Sequence, residues 1–411
     1  MNAPKPAHLA HTPFPVVDDC LQIDGIPLTR LAQRVGKTPF YAYSRSAVSA
    51  RVQHLRNSLP EAIRLHYSVK ANPMPALVQH LAGLVDGFDV ASAGELKVVL
   101  DTPIKPGQVG FAGPGKSSAE LEQAVAAGVV IHLESERELN ELARIGNALG
   151  IRPKVTVRVN PDFEMKSSGM KMGGGPKQFG IDTEQVPHIL RRIASCGLDF
   201  VGFHIYCGSQ NLRADAIIEA ESKTFELAMR LAQDAPGPVR LLNIGGGFGV
   251  PYFPGELPLD LRPIGDNLDR WLPRVRAALP DVEVVLEMGR YIVSEAGIYV
   301  CRVVDRKLSR GQVFLVTDGG MHQHLGASGN LGQVIRKNYP VVVGNKVTGT
   351  DREIVSVVGP LCTPLDLLAD KMEMACAEVG DLITVFQSGA YGLSASPTAF
   401  LSHAAPAEIL V

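Results

Sequence analysis

The chain of 411 residues is 45% hydrophobic and 20% charged, and 40 Lys and Arg against 42 Asp and Glu leave a formal charge of -2. With a pI near 6.6 there is no basic stripe for nucleic acid, and no run approaches the ~18 apolar residues of a membrane span, so neither partner is expected. The length exceeds one ordinary core and predicts two domains, although a βα barrel alone takes about 250 residues.

The opening stretch "MNAPKPAHLAHTPFPVVDD" has no basic segment followed by an apolar one and reads as a loose arm. The strand-like "LQIDGIPL" after it is expected to join a β domain, so residues 1–37 form the arm and that strand. From residue 38 short apolar or β-branched runs alternate with amphipathic helical patterns, the mark of βα units. Eight strands can be counted: "RLHYSV" (64–69), "GFDVA" (87–91), "QVGFA" (108–112), "VVIHL" (129–133), "KVTVRV" (154–159), "FVGFHIY" (200–206), "RLLNI" (240–244) and "EVVLE" (283–287). Helical stretches such as "SAELEQAVAAG" and "SERELNELARIGNALG" begin with Ser, carry acidic residues in the first turn and end in Gly. Eight such units predict a closed (β/α)8 TIM barrel over 38–290. An open doubly wound sheet is the alternative, but no GxGxxG comes after the first strand. After residue 290 "GIYVCRVVDRKL", "QVFLVTDGG", "EIVSVVG" and "DLITVFQSG" are strands separated by Gly, Pro and Asn turns, which predicts an all-β domain over 291–411.

Six cysteines are scattered (Cys20, Cys196, Cys207, Cys301, Cys362, Cys376) with no CxxC pair, as expected of a protein of the reducing cytoplasm.

In a barrel, polar residues at the C-terminal ends of strands face the active-site mouth. Lys70 follows the first strand, Asp89 and Glu95 the second, Lys116 the third and Glu134 the fourth. Arg158 ends the fifth, His204 and Tyr206 share a face of the sixth, Gly245, Gly246 and Gly247 follow the seventh, and Glu287 and Arg290 close the eighth. A single lysine in such a place usually caps an element or extends into solvent. The joint placement points elsewhere: "NIGGGFG" offers backbone N–H groups unobstructed by side chains, as a phosphate requires, and Lys70 is suited to a Schiff base. Pyridoxal phosphate uses both features.

The motifs "YSVKANP", "GFDVASAGEL", "FAGPGKS", "HIYCGSQ", "NIGGGFG", "EMGRYIV", "GPLCTPLD" and "SGAYGLS", in this order, resemble the fold type III pyridoxal-phosphate decarboxylases, the alanine-racemase-like family that includes diaminopimelate and ornithine decarboxylases. "MKMGGGPKQFG" and "TDGGMHQHL" are similar to the diaminopimelate-decarboxylase-like branch found with exosortase systems and with carrier-protein decarboxylation in butirosin synthesis. The resemblance implies that Lys70 carries the cofactor and that Gly245, Gly246 and Gly247, with Ser209, Arg290 and Tyr391, bind its phosphate. It places Asp89 and Glu95 around the lysine and Arg158 and His204 in the cofactor-binding set. Glu287 pairs with the ring nitrogen, where a carboxylate keeps the nitrogen protonated and the ring a strong electron sink. Alanine racemase has an arginine there, so Glu287 argues for decarboxylation over racemisation. The β domain and the Cys362 motif argue against a non-catalytic cofactor carrier, which is a bare barrel. Cys362 matches the cysteine donated across a dimer interface to protonate the product carbon, which implies a homodimer with shared active sites.

Two departures bear on the substrate. Tyr206 stands where the familiar enzymes stack a histidine on the ring; His204, two residues earlier, is as readily a core histidine. Thr363 replaces the Glu or Asp that reads a distal ammonium, so the expected substrate is an α-amino acid with an uncharged, amide-linked or carrier-tethered far end. Free diaminopimelate is the alternative. Arg290, Arg336, Thr363, Asp366 and Tyr391 are the expected substrate contacts. His322 and His324 in "GGMHQHLGASGNLGQ" resemble a metal pair, but no third ligand is in view and no metal is expected.

Overall fold

The computed structural model describes residues 8–9, 13–167 and 169–411. It divides into two compact units: one comprises Val52–Val250 and Pro258–Gly289, the other the described residues up to Arg51 together with Pro251–Leu257 and Arg290–Val411.

The first unit is a closed barrel of eight parallel strands: β1 (Ile63–Ser68), β2 (Gly87–Val90), β3 (Val109–Phe111), β4 (Val130–Leu133), β5 (Lys154–Asn160), β6 (Asp199–Ile205), β7 (Leu241–Gly246) and β8 (Glu283–Met288). Each pairs with its chain neighbours, and β8 closes on β1 through Glu287↔His66 and Met288↔Tyr67. All eight fall on the runs read from sequence. The helices between them begin and end as their sequences dictate. Ser117 accepts the N–H of Glu120, whose carboxylate in turn accepts the N–H of Ser117, a reciprocal cap for Ser118–Ala127. Gly128 (φ 77°) and Gly150 (φ 64°) end their helices in the left-handed conformation that costs glycine little. Along each strand alternate residues face opposite sides. Leu65 and Tyr67 of β1 are fully packed, as are Ile131 and Leu133 of β4, while His66, Ser68 and His132 lie on the other face.

The second unit is built on a sheet ordered β11 (Val341–Val343), β14 (Leu382–Val385), β9 (Gly297–Ser309), β10 (Gln312–Thr317), β12 (Arg352–Val358) and β13 (Leu367–Ala375). Phe40–Tyr43, assigned from sequence to the head of the barrel range, pairs antiparallel with β9, and Ala407–Leu410 pairs parallel with it. All four residues of Phe40–Tyr43 are buried, so their apolar run reflects a sandwiched strand of this sheet. The "LQIDGIPL" stretch forms a small sheet of its own, Val16–Val17, Cys20–Ile23 and Ile26–Pro27, whose Leu21 and Ile23 enter one core with Phe40, Ile298, Val300 and Phe386. Among the described residues no helix is long and apolar enough to cross a membrane.

Candidate active site

Lys70 lies in the single turn Val69–Ala71 that leaves β1, and it is the exposed residue between buried Val69 and Ala71. The turn arises because Asn72 and Pro73 stop the strand, with Asn72 Oδ1 accepting the N–H of Met74 at 3.1 Å. Lys70 Nζ sits 5.5 Å from the centre of the Tyr206 ring, just past the end of β6. Glu95, in the helix capped by Ser92, binds the N–H of Ala91 at 2.7 Å; burial pushes its carboxyl up, against the pull of that N–H and of the Lys70 charge.

Glu287 is a buried carboxylate of the same barrel. One oxygen accepts from Ser68 Oγ at 2.9 Å and the other from His204 Nε2 at 3.2 Å. Burial and the Asp89 charge push its carboxyl up, but the His204 hydrogen bond and the Lys70 ammonium outweigh them and hold it below the usual range. A carboxylate offers about four acceptor positions; two are filled here, which leaves capacity for a third donor such as a protonated ring nitrogen.

At the end of β7 glycine is the only fit. A Cβ at Gly245 would lie 2.9 Å from the Tyr206 ring, at Gly246 2.3 Å from the carbonyl of Glu287, and at Gly247 2.1 Å from the carbonyl of Gly208, while Gly245 and Gly247 also have φ of 73° and 79°. Ser209 lies on the strand beside Gly208 that pairs with Met170–Lys171. An exposed lysine, an ionised buried carboxylate with spare acceptor capacity and a side-chain-free strand end are the groups that pyridoxal phosphate requires, and the residues fit it.

In the second unit Arg290 donates to Tyr252 Oη at 2.9 Å, stacks 4.6 Å from the Tyr391 ring, and has a buried Nε without a hydrogen-bond partner. Tyr391 holds this place with φ 53°, a conformation that costs a non-glycine residue about 1–3 kcal/mol and concentrates at functional sites. Cys362 is exposed and Thr363 partly so, in a turn closed by the Thr363 N–H on the carbonyl of Leu361.

A scan against family models matches residues 45–294 to the pyridoxal-dependent decarboxylases, specifically their pyridoxal binding domain. The chain belongs to this family. It is 37% identical over 396 residues to the L-glutamyl-[BtrI acyl-carrier protein] decarboxylase of Niallia circulans, covering 95% of this chain and 92% of that one. It is 32% identical over 397 residues to the diaminopimelate decarboxylase of Aquifex aeolicus, covering 96% and 91%. Its fold matches that of the diaminopimelate decarboxylase from M. jannaschii crystallised with L-lysine, at TM-score 0.87, 24% identity and coverage of 97% and 92%. As a member it is a pyridoxal-phosphate-dependent amino-acid decarboxylase, with the fold type III architecture expected from its motifs.

Several expected site residues are engaged otherwise. Arg158 is committed to Glu134 at 2.7 Å and packs on Phe179, so its guanidinium holds two loops rather than presenting itself to a cofactor. Lys116 is buried, bound to Glu138 and to the carbonyls of Gly113 and His132. Asp89 turns into the barrel, between His66 at 3.2 Å and His132 at 3.3 Å, and these partners, against the cost of burial, hold its carboxyl well below the usual range. Asp366 is buried and accepts the N–H groups of Met321 and Leu361, a clamp that stations the Cys362 loop instead of reading substrate. Arg336 is occupied by the carbonyls of Ser328 and Leu367 and by Asn338, satisfying the loop that carries it. His324 accepts the N–H of Ala327 on Nδ1 and bonds Ser388 through Nε2; the His322 ring lies 5.0 Å from that of His403, tilted against it. The sequence reading missed His66 and His132, whose signal was a histidine inside each of two apolar strands.

Proposed function

We propose that this enzyme decarboxylates an α-amino acid whose distal end is uncharged, amide-linked or tethered to a carrier protein, as a homodimer that shares its active sites. Thr363 is the observation that carries the substrate reading. A hydroxyl supplies a neutral hydrogen bond where a distal ammonium would need a carboxylate, and burying that ammonium unpaired costs several kcal/mol. The likeness to a carrier-protein decarboxylase supports the same reading.

Bound pyridoxal phosphate supplies the electron sink for the bond that breaks. Lys70 would hold the cofactor through its amine, which is also the basic group at this strand end. Glu287 would accept the N–H of the protonated ring nitrogen, and the Tyr206 ring would pack against the cofactor. Gly245, Gly246 and Gly247, with Ser209, would take the phosphate. The reaction replaces carboxylate by hydrogen on one carbon and releases CO2, so one proton must be delivered for each turnover. Cys362 of the partner subunit is that donor in this reading; its exposure on a tight loop suits a residue completed by a second chain.

The test is CO2 release and product chirality measured with free diaminopimelate, with an amide analogue and with a glutamyl thioester of a carrier protein. The neutral or tethered substrates should be preferred, and Thr363→Glu should raise the relative kcat/KM for the diamine acid. Wild-type turnover of free meso-diaminopimelate above about 10⁴ M⁻¹s⁻¹, the range of a native substrate, would make this a lysine-biosynthesis decarboxylase.

A further inference from the structure

Barrels of this kind fill their interior with layers of four side chains from alternate strands, usually bulky and branched. One layer here is Asp89 of β2, His132 of β4, His204 of β6 and Glu287 of β8. The contacts run through it in order: Asp89 Oδ1 to His132 Nε2 at 3.3 Å, the His132 and His204 rings 4.3 Å apart, and His204 Nε2 to Glu287 at 3.2 Å. His132 is also anchored by Nδ1 on Thr156 Oγ1 at 2.6 Å. Glycines make room for the layer and for His66 beside Asp89. A Cβ at Gly110 would lie 2.4 Å from both Asp89 and His132, and one at Gly87 2.5 Å from His66. Beyond the layer a cavity of about 130 Å³ is lined by His66, Asp89, His132 and Asn243 and reaches Arg64 and Glu283. Well-packed apolar residues in such places are commonly as stable as buried ionic ones or more so, so the layer requires a reason other than stability.

The hydrogen-bond geometry supplies one. His204 donates from Nε2 to Glu287, and its Nδ1 is buried without a partner. A neutral ring leaves only a lone pair there, whereas a charged ring would bury a second N–H with no acceptor, a larger penalty. Burial first, and His132 second, push the ring down to about 4. The charged and titratable groups around His204 are His132 on β4, Arg158 on β5 and Glu287 on β8, with Asp89 and His66 behind His132 and Lys70 acting on Glu287. A charged His204 would compete with a protonated ring nitrogen for one carboxylate.

We infer that His132 is a positioning residue: anchored between Thr156 and Asp89 and packed at a tilt against the His204 ring, it keeps His204 a neutral hydrogen-bond donor and so reserves the negative charge of Glu287 for the cofactor ring. The inference rests on the pairing of Glu287 with the ring nitrogen proposed above. Nitrogen NMR of histidine-labelled, cofactor-free protein at pH 7 should show His204 neutral and protonated on Nε2; a charged or Nδ1-protonated His204 overturns the inference. In enzyme loaded with ring-labelled pyridoxal phosphate, His132→Phe should move the ring nitrogen toward its unprotonated reference and lower kcat by about tenfold, the equivalent of one pKa unit, with little change in KM. Adding His132→Phe to His204→Phe should cause no further change in the ring signal, since the effect passes through His204. An equal further change, or an unmoved ring signal in the single variant, assigns His132 to packing alone and refutes the inference. If His132→Phe does not fold, His132→Gln gives the same readouts, and the wild-type NMR result stands without either. An unprotonated ring in wild-type enzyme would refute the pairing of Glu287 instead, and the His204 result distinguishes the two failures.

Discussion

Lys70 and Lys116 both lie just past barrel strands, and replacing each should produce opposite phenotypes. The Lys116 side chain is 1% exposed, and its Nζ donates to the carbonyls of Gly113 at 2.7 Å and His132 at 2.9 Å and to Glu138 at 3.1 Å, whose side chain is fully buried. Lys116→Met removes the ammonium and leaves the Glu138 carboxylate with the N–H groups of its own loop, chiefly that of Glu134 at 2.9 Å. Breaking one side of a buried pair costs about 3–5 kcal/mol, because the remaining charge stays buried. At about 2–4 °C per kcal/mol for a domain of 150–250 residues, the midpoint should fall by about 6–20 °C. Calorimetry or circular dichroism of the cofactor-free protein reads the shift, and borohydride trapping of added pyridoxal phosphate at a temperature where the variant is folded reads the covalent linkage. Trapping should persist. Lys116→Met with Glu138→Leu should recover part of the loss, not all, since two carbonyls and the Glu134 N–H remain without partners. A loss below about 1 kcal/mol, or loss of trapping with stability intact, would refute this division of labour between the two lysines.

Lys70→Ala should be stable but colourless, with no borohydride-reducible linkage; a reducible linkage with full activity would move the role to another lysine. Mixed with Cys362→Ala under conditions of proven subunit exchange, Lys70→Ala should restore roughly a quarter of wild-type sites, since half of the chains enter heterodimers and each carries one intact site; no recovery places both residues in one chain's site. Glu221, between the helices Ala214–Leu231 and Arg262–Ala278, accepts from Asn267 at 3.1 Å, and burial pushes its carboxyl up to about 8 from 4.5. A raised acid contributes stability that is full below its unfolded value and is lost as pH rises toward the folded one, by about 1.4 kcal/mol per unit. Glu221→Gln should therefore match wild type near pH 4.5 and exceed it in melting temperature near pH 8, and equal melting curves at both would contradict a buried neutral carboxyl.

The barrel was legible because its signal is local. Each strand is a short apolar run, and each intervening helix announces its ends with Ser, acidic residues and Gly. The second unit was legible only in part. β13 carries Asp370, Lys371 and Glu373 within "LLADKMEMA", and its pairing with β12 shifts register twice, so alternation breaks where Lys371 takes φ 48°. Phe40–Tyr43 was misplaced because its partners, β9 and Ala407–Leu410, lie more than 250 and 360 residues away, and no local pattern records such pairings.

The candidate site divides along a similar line. Lys70 and the three glycines stand out in the sequence because they lie at strand ends: Lys70 beyond β1, Gly245 and Gly246 as the last two residues of β7, and Gly247 beyond it. Position at a strand end treats Asp89, Arg158 and Glu287 alike, although their partners differ: His66 and His132 for Asp89, Glu134 for Arg158, and Ser68 and His204 for Glu287. His66 lies two residues and His132 one residue before the end of its strand, inside "LHYS" and "VIHL", where an apolar context reads as packing. The glycines supply the missing signal. Gly87 is paired with His66 and Gly110 with Asp89; at Gly87 the His66 imidazole and the Gln108 carbonyl occupy the space that a side chain would have filled, and at Gly110 the Asp89 carboxylate and the His132 imidazole do. A glycine inside a barrel strand, matched across the ladder to a polar residue, is therefore evidence that the polar residue points inward.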